Sequence, residues 1–419
     1  MRKMIDSGVE WLGAIPQDWD LVQIKSIASC KSEKSSYIGG AYIGLEHIES
    51  GSGKLLADGS QTGIEVDSTV SSFSDTDILF GKLRPYLAKA AKPNFDGQCS
   101  TEILVLNPSS RIQKDFLFWY LLNPAFIDAV NASTYGAKMP RANWNFIGSC
   151  YLPLPPMNMQ TVISSVLNEK FAQVDTLIAN VQAQIEKLKA YKQSVITEVV
   201  TKGLDPTVPM KDSGVEWIGE IPAHWGVTRI KNMFELRNER NDEADLTKVN
   251  LISLYTDLGV VQHSDLTATT GNRAVTAEGY KIVRKNDIVV NIILCWMGAV
   301  GMSQYDGVTS PAYDIYRPLK DTNSEYYHYL FRTNRFNGEC YRYGRGIMMM
   351  RWRTYSTEFR AINIPCPPAE EQKKIVAHLN EKCNKIDQLI AIKQAKIEKL
   401  EQYKRSLIYE YVTGKREVV

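Results

Sequence analysis

No stretch of this chain approaches the run of about 18 apolar residues that a membrane span requires. The opening "MRKMIDSGVEWLG" has no apolar core of the kind a secretory leader carries. Neither export nor a membrane span is expected. Cysteine is sparse: 7 residues, scattered, with no Cys-x-x-Cys pair, and the 5 histidines do not gather near them. That excludes a zinc site or disulfide framework and points to a reducing compartment, the cytoplasm. Charge of one sign is also missing. The net charge of +2 rules out a uniformly basic particle but leaves room for a local basic surface, because only local charge meets a phosphate.

Catalytic signatures are absent as well. There is no G-x-x-x-x-G-K-[ST], no serine elbow and no paired histidines for a metal. "NPAF" at Asn123 is similar to the N-P-P-[YF] motif of amino-methyltransferases. It sits in an apolar helical stretch, with no glycine-rich strand-to-helix turn nearby for S-adenosylmethionine. "YIGGAYIG" and "YRYGRG" have the wrong flanks for a phosphate loop. "EQK" at Glu371 fits half of a nuclease motif, but no acid precedes it closely, and a cluster at a helix start accounts for it better. The chain reads as a binding or assembly protein, not an enzyme.

What is present is a repeat. "DSGVEWLGAIPQDW" begins at Asp6 and "DSGVEWIGEIPAHW" at Asp212. Met4–Lys25 and Met210–Lys231 agree at 13 of 22 positions, offset by 206. A second pair, Leu152–Thr201 and Ile364–Thr413, agrees at 26 of 50 positions at an offset of 212. Between these anchors only fragments match, such as "DILF" at Asp77 against "DIVV" at Asp287. Two copies of one domain are implied, with the frame kept and the intervening blocks diverged.

After each proline pair the apolar pattern becomes helical. Phe171, Val174, Ile178, Val181, Ile185, Leu188, Val195 and Val199 alternate spacings of three and four, with Lys192 filling one slot. The second copy gives Cys383, Ile386, Ile390, Ile397, Leu400, Leu407 and Tyr411, with Lys393 and Lys404 in the seam. Sustained over four heptads, this is a coiled-coil pattern. Proline entries and the glycines of "TKGLDP" and "TGK" bound rods of roughly 60 Å. Each rod either lies on its own domain or has only the other rod to cover it, and the narrow stripe favours the second. Related copies usually pair by a pseudo-two-fold, which would set the rods antiparallel.

The diverged blocks mix short β-like runs with turns and one helical stretch each, "KDFLFWYLLNPAFIDAVN" and "SEYYHYLFRTNRFNGE". The fold class expected is α+β: two similar domains of mixed or antiparallel sheet with helices, joined by two long helices forming an antiparallel coiled coil. The expected division is 1–155, a first long helix in 156–203, 204–367, and a second long helix with its tail in 368–419. Two basic loops stand out in the first block. "FGKLRPYLAKAAK" carries Lys82, Arg84, Lys89 and Lys92 with Tyr86 between; "STYGAKMPRANWN" carries Lys138, Arg141, Asn143 and Trp144. The second block has "ECYRYGRGIMMMRWRTY", where Arg342, Arg345, Arg351 and Arg353 interleave with Tyr341, Tyr343 and Trp352. Arginine and asparagine can read guanine and adenine edges, lysine grips phosphate, and aromatics stack or wedge. As solvated loops with ordinary aromatics they would do none of this; the expectation is that at least one such loop per block touches nucleic acid.

The phrase "SGVEWLGxIPxxW", the proline entry "LPLPPxxxQ" and the helix "IEKLxxYKxSxIxExVTxG" together resemble the specificity subunit of type I restriction–modification enzymes. The resemblance covers the whole chain and both repeats. One departure is "MNMQ" at Met157, where the second copy has "AEEQ", and it bears on capping of the first helix. The resemblance implies that the diverged blocks are two target-recognition domains, each reading one half of a bipartite, asymmetric site in double-stranded DNA. It implies that the long helices set the gap between the halves. It also implies docking of two modification (methyltransferase) subunits, with Val174, Ile178, Ile185, Leu188, Ile386, Ile390, Ile397 and Leu400 as the helix-pairing positions. Restriction (motor–nuclease) subunits would join that core. S-adenosylmethionine, ATP and magnesium would bind those partners and not this chain. A rival reading is a stand-alone DNA-binding regulator, a fused pseudo-dimer without enzymatic partners.

Overall fold

The structure is a computed structural model that describes residues 2–31, 34–36, 40–56, 69–136, 138–265, 276–346 and 352–418. The chain divides into two compact units, Met1–Gln182 with Lys393–Val419, and Ala183–Ile392. Unit 1 holds an antiparallel sheet in the order Ala28–Lys31, Ile103–Pro108, Ile78–Gly81, Ala90–Ala91. A second sheet runs Lys34–Ser36, Thr69–Phe73, Gly97–Ser100, Tyr42–Ile43, with its last pair parallel. Unit 2 repeats the first sheet as Phe234–Arg237, Tyr313–Pro318, Ile288–Asn291, Val300–Met302. The sequence expectation of an α+β fold with mixed or antiparallel sheets matches this architecture.

Helices α1 (Lys114–Leu121), α2 (Pro124–Ala132) and α3 (Trp144–Ser149) follow in unit 1. The stretch read as one helix from Lys114 is thus two. Pro124 cannot continue α1, and Asn123 caps α2 by accepting a hydrogen bond from the Ala125 amide (3.2 Å). The long helix α4 spans Met157–Lys202. In unit 2, α5 (Ser324–Phe331), α6 (Asn334–Tyr343) and α7 (Ser356–Ala361) correspond to α1–α3, and α8 spans Ala369–Val412. Thr333 caps α6 much as Asn123 caps α2. The compact units divide each long helix between them. Among the described residues no helix is long and apolar enough to cross a membrane.

The glutamine of the proline entry has a structural reason. Gln160 is buried, accepts from the Gln113 amide (2.8 Å) and donates to the Pro155 carbonyl (2.9 Å). Gln372 does the same with the Asn323 amide (2.9 Å) and the Pro367 carbonyl (2.9 Å). One amide side chain therefore ties the start of a long helix to the start of the short helix it packs on, and leaves neither backbone group orphaned.

In unit 1 the first turns of α4 (Ile163, Leu167, Phe171) share a core with the last turns of α8 (Leu407, Ile408, Tyr411, Val412), together with Trp19, Phe80, Phe116 and Trp119. In unit 2, Ile196, Val199 and Val200 of α4 meet Ile375, Val376, Leu379 and Cys383 of α8, with Trp225, Phe234 and Phe331. Within each unit the start of one helix meets the end of the other, so the pairing there is antiparallel. The expectation that each rod has only the other to cover it is corrected: both ends of each helix are buried in a globular core. In unit 1, Val174, Ile178 and Ile397 are buried and Leu400 half-buried; in unit 2, Ile185 and Ile386 are buried and Leu188 and Ile390 half-buried. Two of the lysines in the pattern form ion pairs: Lys404 with Asp175 (2.7 Å) in unit 1 and Lys192 with Asp387 (2.7 Å) in unit 2. Lys404 is 6% exposed, and that carboxylate and the Phe171 ring 5.0 Å away are its partners.

The repeated phrase forms the same turn twice. Asp6 and Asp212 accept from the amides of Gly8 (3.1 Å) and Gly214 (3.0 Å), both at positive φ. In unit 1 the phrase packs on the end of α8, where Lys415 Nζ donates to the carbonyls of Leu12 and Ala14 (3.1 Å). In unit 2 it packs on the end of α4, where Gly203 sits against Trp225 and Pro222. Each phrase is a seat for the last turn of a long helix, which is why it is spelled twice.

The two seats differ in what meets the buried indole nitrogen. Trp225 Nε1 donates to Glu371 Oε2 (2.8 Å), and His224 Nε2 lies 2.6 Å from Glu371 Oε1. In the first copy Asp18 and Met159 stand where His224 and Glu371 do, and the buried Trp19 Nε1 has no hydrogen-bond partner among the described residues. Both indoles are nearly fully buried, so truncation to phenylalanine removes similar volume at each. Trp225→Phe should therefore cost about 1–2 kcal/mol more than Trp19→Phe in equilibrium unfolding, the contribution of one charge-assisted hydrogen bond. Equal costs would show that Glu371 stabilises nothing through the indole.

Candidate nucleic-acid interface

In unit 1 the strand Ile78–Gly81 runs into a turn at Lys82–Lys89, where Arg84 (φ 51°) and Ala88 (φ 47°) flank the 3₁₀ segment Pro85–Leu87. The loop between α2 and α3 lies against this turn. Leu83 pairs with Arg141, the Arg84 amide donates to Pro140 O (2.8 Å), and the Ala142 amide donates to Lys82 O (2.9 Å). The two basic loops picked out in the first block are thus one surface. Lys82, Arg84, Tyr86 and Lys138 have no side-chain partner among the described residues, and Arg84, Tyr86 and Lys138 are exposed.

The other candidates in unit 1 are engaged. Arg141 forms a two-pronged pair with Glu102 (3.0 and 3.1 Å), whose hydrogen bonds hold the guanidinium further toward its charged form. Lys89 donates to Leu45 O (2.6 Å). Lys92 pairs with Asp115 (2.8 Å), and Asn143 caps α3 by accepting from the Phe146 amide (2.9 Å). These contacts shape the loops. Any base contact by Arg141 would require leaving Glu102 or sharing its free edge.

Unit 2 uses the same backbone scaffold. The strand Ile288–Asn291 leads to the 3₁₀ turn Cys295–Met297, which ends at Gly298 (φ 90°), the counterpart of Ala88. The Thr354 amide donates to Ile292 O (2.8 Å), as Ala142 does to Lys82 O. Arg345 and Arg353 exchange two backbone hydrogen bonds (2.8 and 2.9 Å), as Tyr135 and Arg141 do. The side chains on this scaffold differ in charge. Ile292, Leu294 and Trp296 stand where unit 1 has Lys82, Arg84 and Tyr86.

The basic residues of unit 2 lie on the neighbouring loop. Arg342 is held by Glu339 (2.9 and 2.7 Å) and lies over the Tyr343 ring at 5.0 Å. Arg345 reaches Glu358 at 3.2 Å while its side chain stays 76% exposed. Trp352 stacks on Tyr341 (centroids 4.9 Å apart, 20° between planes) and donates to Tyr341 O (2.9 Å). Arg353 has no side-chain partner among the described residues. Arg351 lies outside the described residues.

Sequence reasoning passed over Leu294 and Met297, which are exposed at the unit 2 turn (37% and 50%). The signal was available. Extending the match of "DILF" to "DIVV" sets "GKLRPYL" against "NIILCWM", a basic turn against an apolar one.

Fold and loops define a class: a duplicated α+β module, each copy built on the ends of two long helices. The family model described as "Type I restriction modification DNA specificity domain" matches residues 16–187 and 222–402, and the chain belongs to that family. Among its relatives is the type I restriction enzyme EcoDI specificity subunit of Escherichia coli, 28% identical over 243 residues. That match covers 57% of this chain and 49% of the relative, so the chain spans about half the length of that protein. The type I restriction enzyme MjaVIII specificity subunit of Methanocaldococcus jannaschii is 23% identical over 96% of this chain and 93% of its own. A chain from a solved structure on assembly and conformational transition of the type I R-M system superposes with a TM-score of 0.66 at 17% identity, covering 96% of this chain and 99% of that one. The HsdS subunit of Thermoanaerobacter tengcongensis gives 0.51 at 17% identity, covering 96% and 98%. The last two show likeness of fold.

Proposed function

We propose that this chain is the non-catalytic, DNA-reading specificity subunit of a type I restriction–modification complex. Unit 1 and unit 2 each read one half of a bipartite, asymmetric site, and the long helices fix the gap between the halves. Two modification subunits dock on the chain, and restriction subunits join them. S-adenosylmethionine, ATP and magnesium act on those partners. The observation that carries this reading is the shared loop scaffold with unlike side chains: Lys82, Arg84 and Tyr86 in one unit, Ile292, Leu294 and Trp296 in the other. Two copies of one frame presenting different chemistry suit two different half-sites. The test is methylome sequencing of cells with and without this gene. A bipartite methylated motif that disappears on deletion is the expected result. No change in the methylome would overturn the reading and leave the stand-alone regulator.

A further inference from the structure

The unit 2 turn is an apolar tip on a fixed base. Leu294 and Met297 project from it, 37% and 50% exposed, while Cys295 between them is fully buried. Several contacts hold the backbone. Asn291 Oδ1 accepts from the amides of Ile293 (3.0 Å) and Leu294 (3.3 Å). The amides of Met297 (2.9 Å) and Ala299 (3.1 Å) donate to Leu294 O. Arg332 donates to the carbonyls of Gly298 (3.5 Å) and Val300 (3.2 Å), fixing the strand that leaves the turn. His328 Nδ1 accepts from the Met302 amide (3.1 Å) in the same strand; burial pushes its pKa down to about 3, so it stays neutral in this role. Trp296 packs edge-on against Tyr341 (5.7 Å), which stacks on Trp352. The exposed apolar pair is therefore presented by a rigid platform.

The backbone beside the tip carries arginines. Arg353 adjoins Thr354, whose amide bonds Ile292 O at the start of the turn, and its backbone pairs with that of Arg345, whose exposed side chain also meets Glu358. An apolar point flanked by arginines suits a duplex whose phosphates meet the arginines and whose groove receives the tip. The one apolar group that the base edges display in the major groove is the 5-methyl of thymine. We propose that Met297 and Leu294 read the 5-methyl group of a thymine in the half-site addressed by unit 2. The proposal rests on the DNA-reading role given above. It makes the two units differ in kind: a cationic turn in unit 1, an apolar turn in unit 2.

Replacing thymine by uracil removes that methyl and nothing else. The full chain, purified with its modification subunits, is to be titrated against duplexes carrying the methylated motif, with each thymine of the second half-site replaced in turn by deoxyuridine. One position should weaken binding about fourfold, the effect of one buried methyl. In Met297→Ala/Leu294→Ala, and in the polar near-isostere Met297→Gln, uracil at that position should change binding by less than about twofold, relative to each variant's own affinity for thymine. Base substitutions in the first half-site should still abolish binding by each variant, which shows that it is folded. A second half-site without A·T pairs, or uracil without effect at every position in the wild type, overturns the proposal. So does a uracil effect that the variants keep. An apolar wedge between base steps would give the second of these results. Absence of any bipartite motif would instead remove the DNA-reading role itself.

Discussion

Deleting one heptad from each long helix, residues 187–193 and 386–392, is expected to redirect DNA recognition without abolishing it. The two segments lie in unit 2 and include the partners Lys192 and Asp387, which leave together, so no charge is stranded in the seam. A seven-residue excision also preserves the phase of the three-four apolar pattern. Each helix shortens by about 10 Å, which corresponds to about three base pairs of duplex. If the helices fix the separation of two reading units, the selected gap shortens and both half-site sequences survive. Holding the original gap would mean deforming DNA at about 1–6 kcal/mol, so affinity for the original site should fall by roughly fivefold or more. Binding selection from a library with randomised gap length reads this directly. Altered half-sites with an unchanged gap would sink the ruler role.

Gly414→Ala is expected to be the most damaging single methyl that can be added near the end of α8. Gly414 has φ of 69°, and a Cβ there would lie 2.3 Å from Pro16 Cγ, 2.6 Å from Pro16 Cδ and 3.0 Å from the Trp19 ring. Pro16 cannot step aside, because its strand Ala14–Pro16 is paired to Met4–Asp6 and Trp19 is buried in the unit 1 core. Left-handed backbone costs an alanine about 1 kcal/mol, and overpacking adds about 1–3 kcal/mol. The equivalent glycine of unit 2 is the control. Gly203 has φ of 78°, but a Cβ there would meet Trp225 at 3.3 Å and Pro222 at 3.6 Å, so Gly203→Ala carries the backbone cost and a shift of a few tenths of an ångström at the indole. Denaturant unfolding of both variants should separate them by about 1–3 kcal/mol. Equal losses would mean that the phrase around Trp19 does not seat the end of α8.

Much of this architecture was legible because it is written in local periods and repeated words. The three-four spacing from Phe171 to Val199 gives the body of α4 whatever covers it, and a proline entry and a closing glycine lie at its two ends. The repeat at Asp6 and Asp212 announced two modules. Other features were misread for a stated physical reason. The apolar run from Lys114 does not betray its break, since Pro124 is tolerated in the first turn of a new helix as well as excluded from an old one. Of the polar residues chosen by type, Arg141, Lys89, Asn143 and Arg342 turned out to be occupied by Glu102, Leu45 O, the Phe146 amide and Glu339. Residue type gives a donor's capacity; only neighbours remote in sequence decide whether it is already used.

The sequence by itself determined that there are two α+β modules, two long amphipathic helices and a frame kept while its contents diverged, because pattern period and duplication are properties of the chain. Tertiary structure alone decided that each opening phrase seats the end of a long helix, that Lys82–Lys89 and Lys138–Asn143 form one surface, and that an apolar tip replaces a basic one in unit 2. Those facts depend on contacts between residues as far apart as Leu12 and Lys415, and no local pattern encodes a contact closed over that much chain.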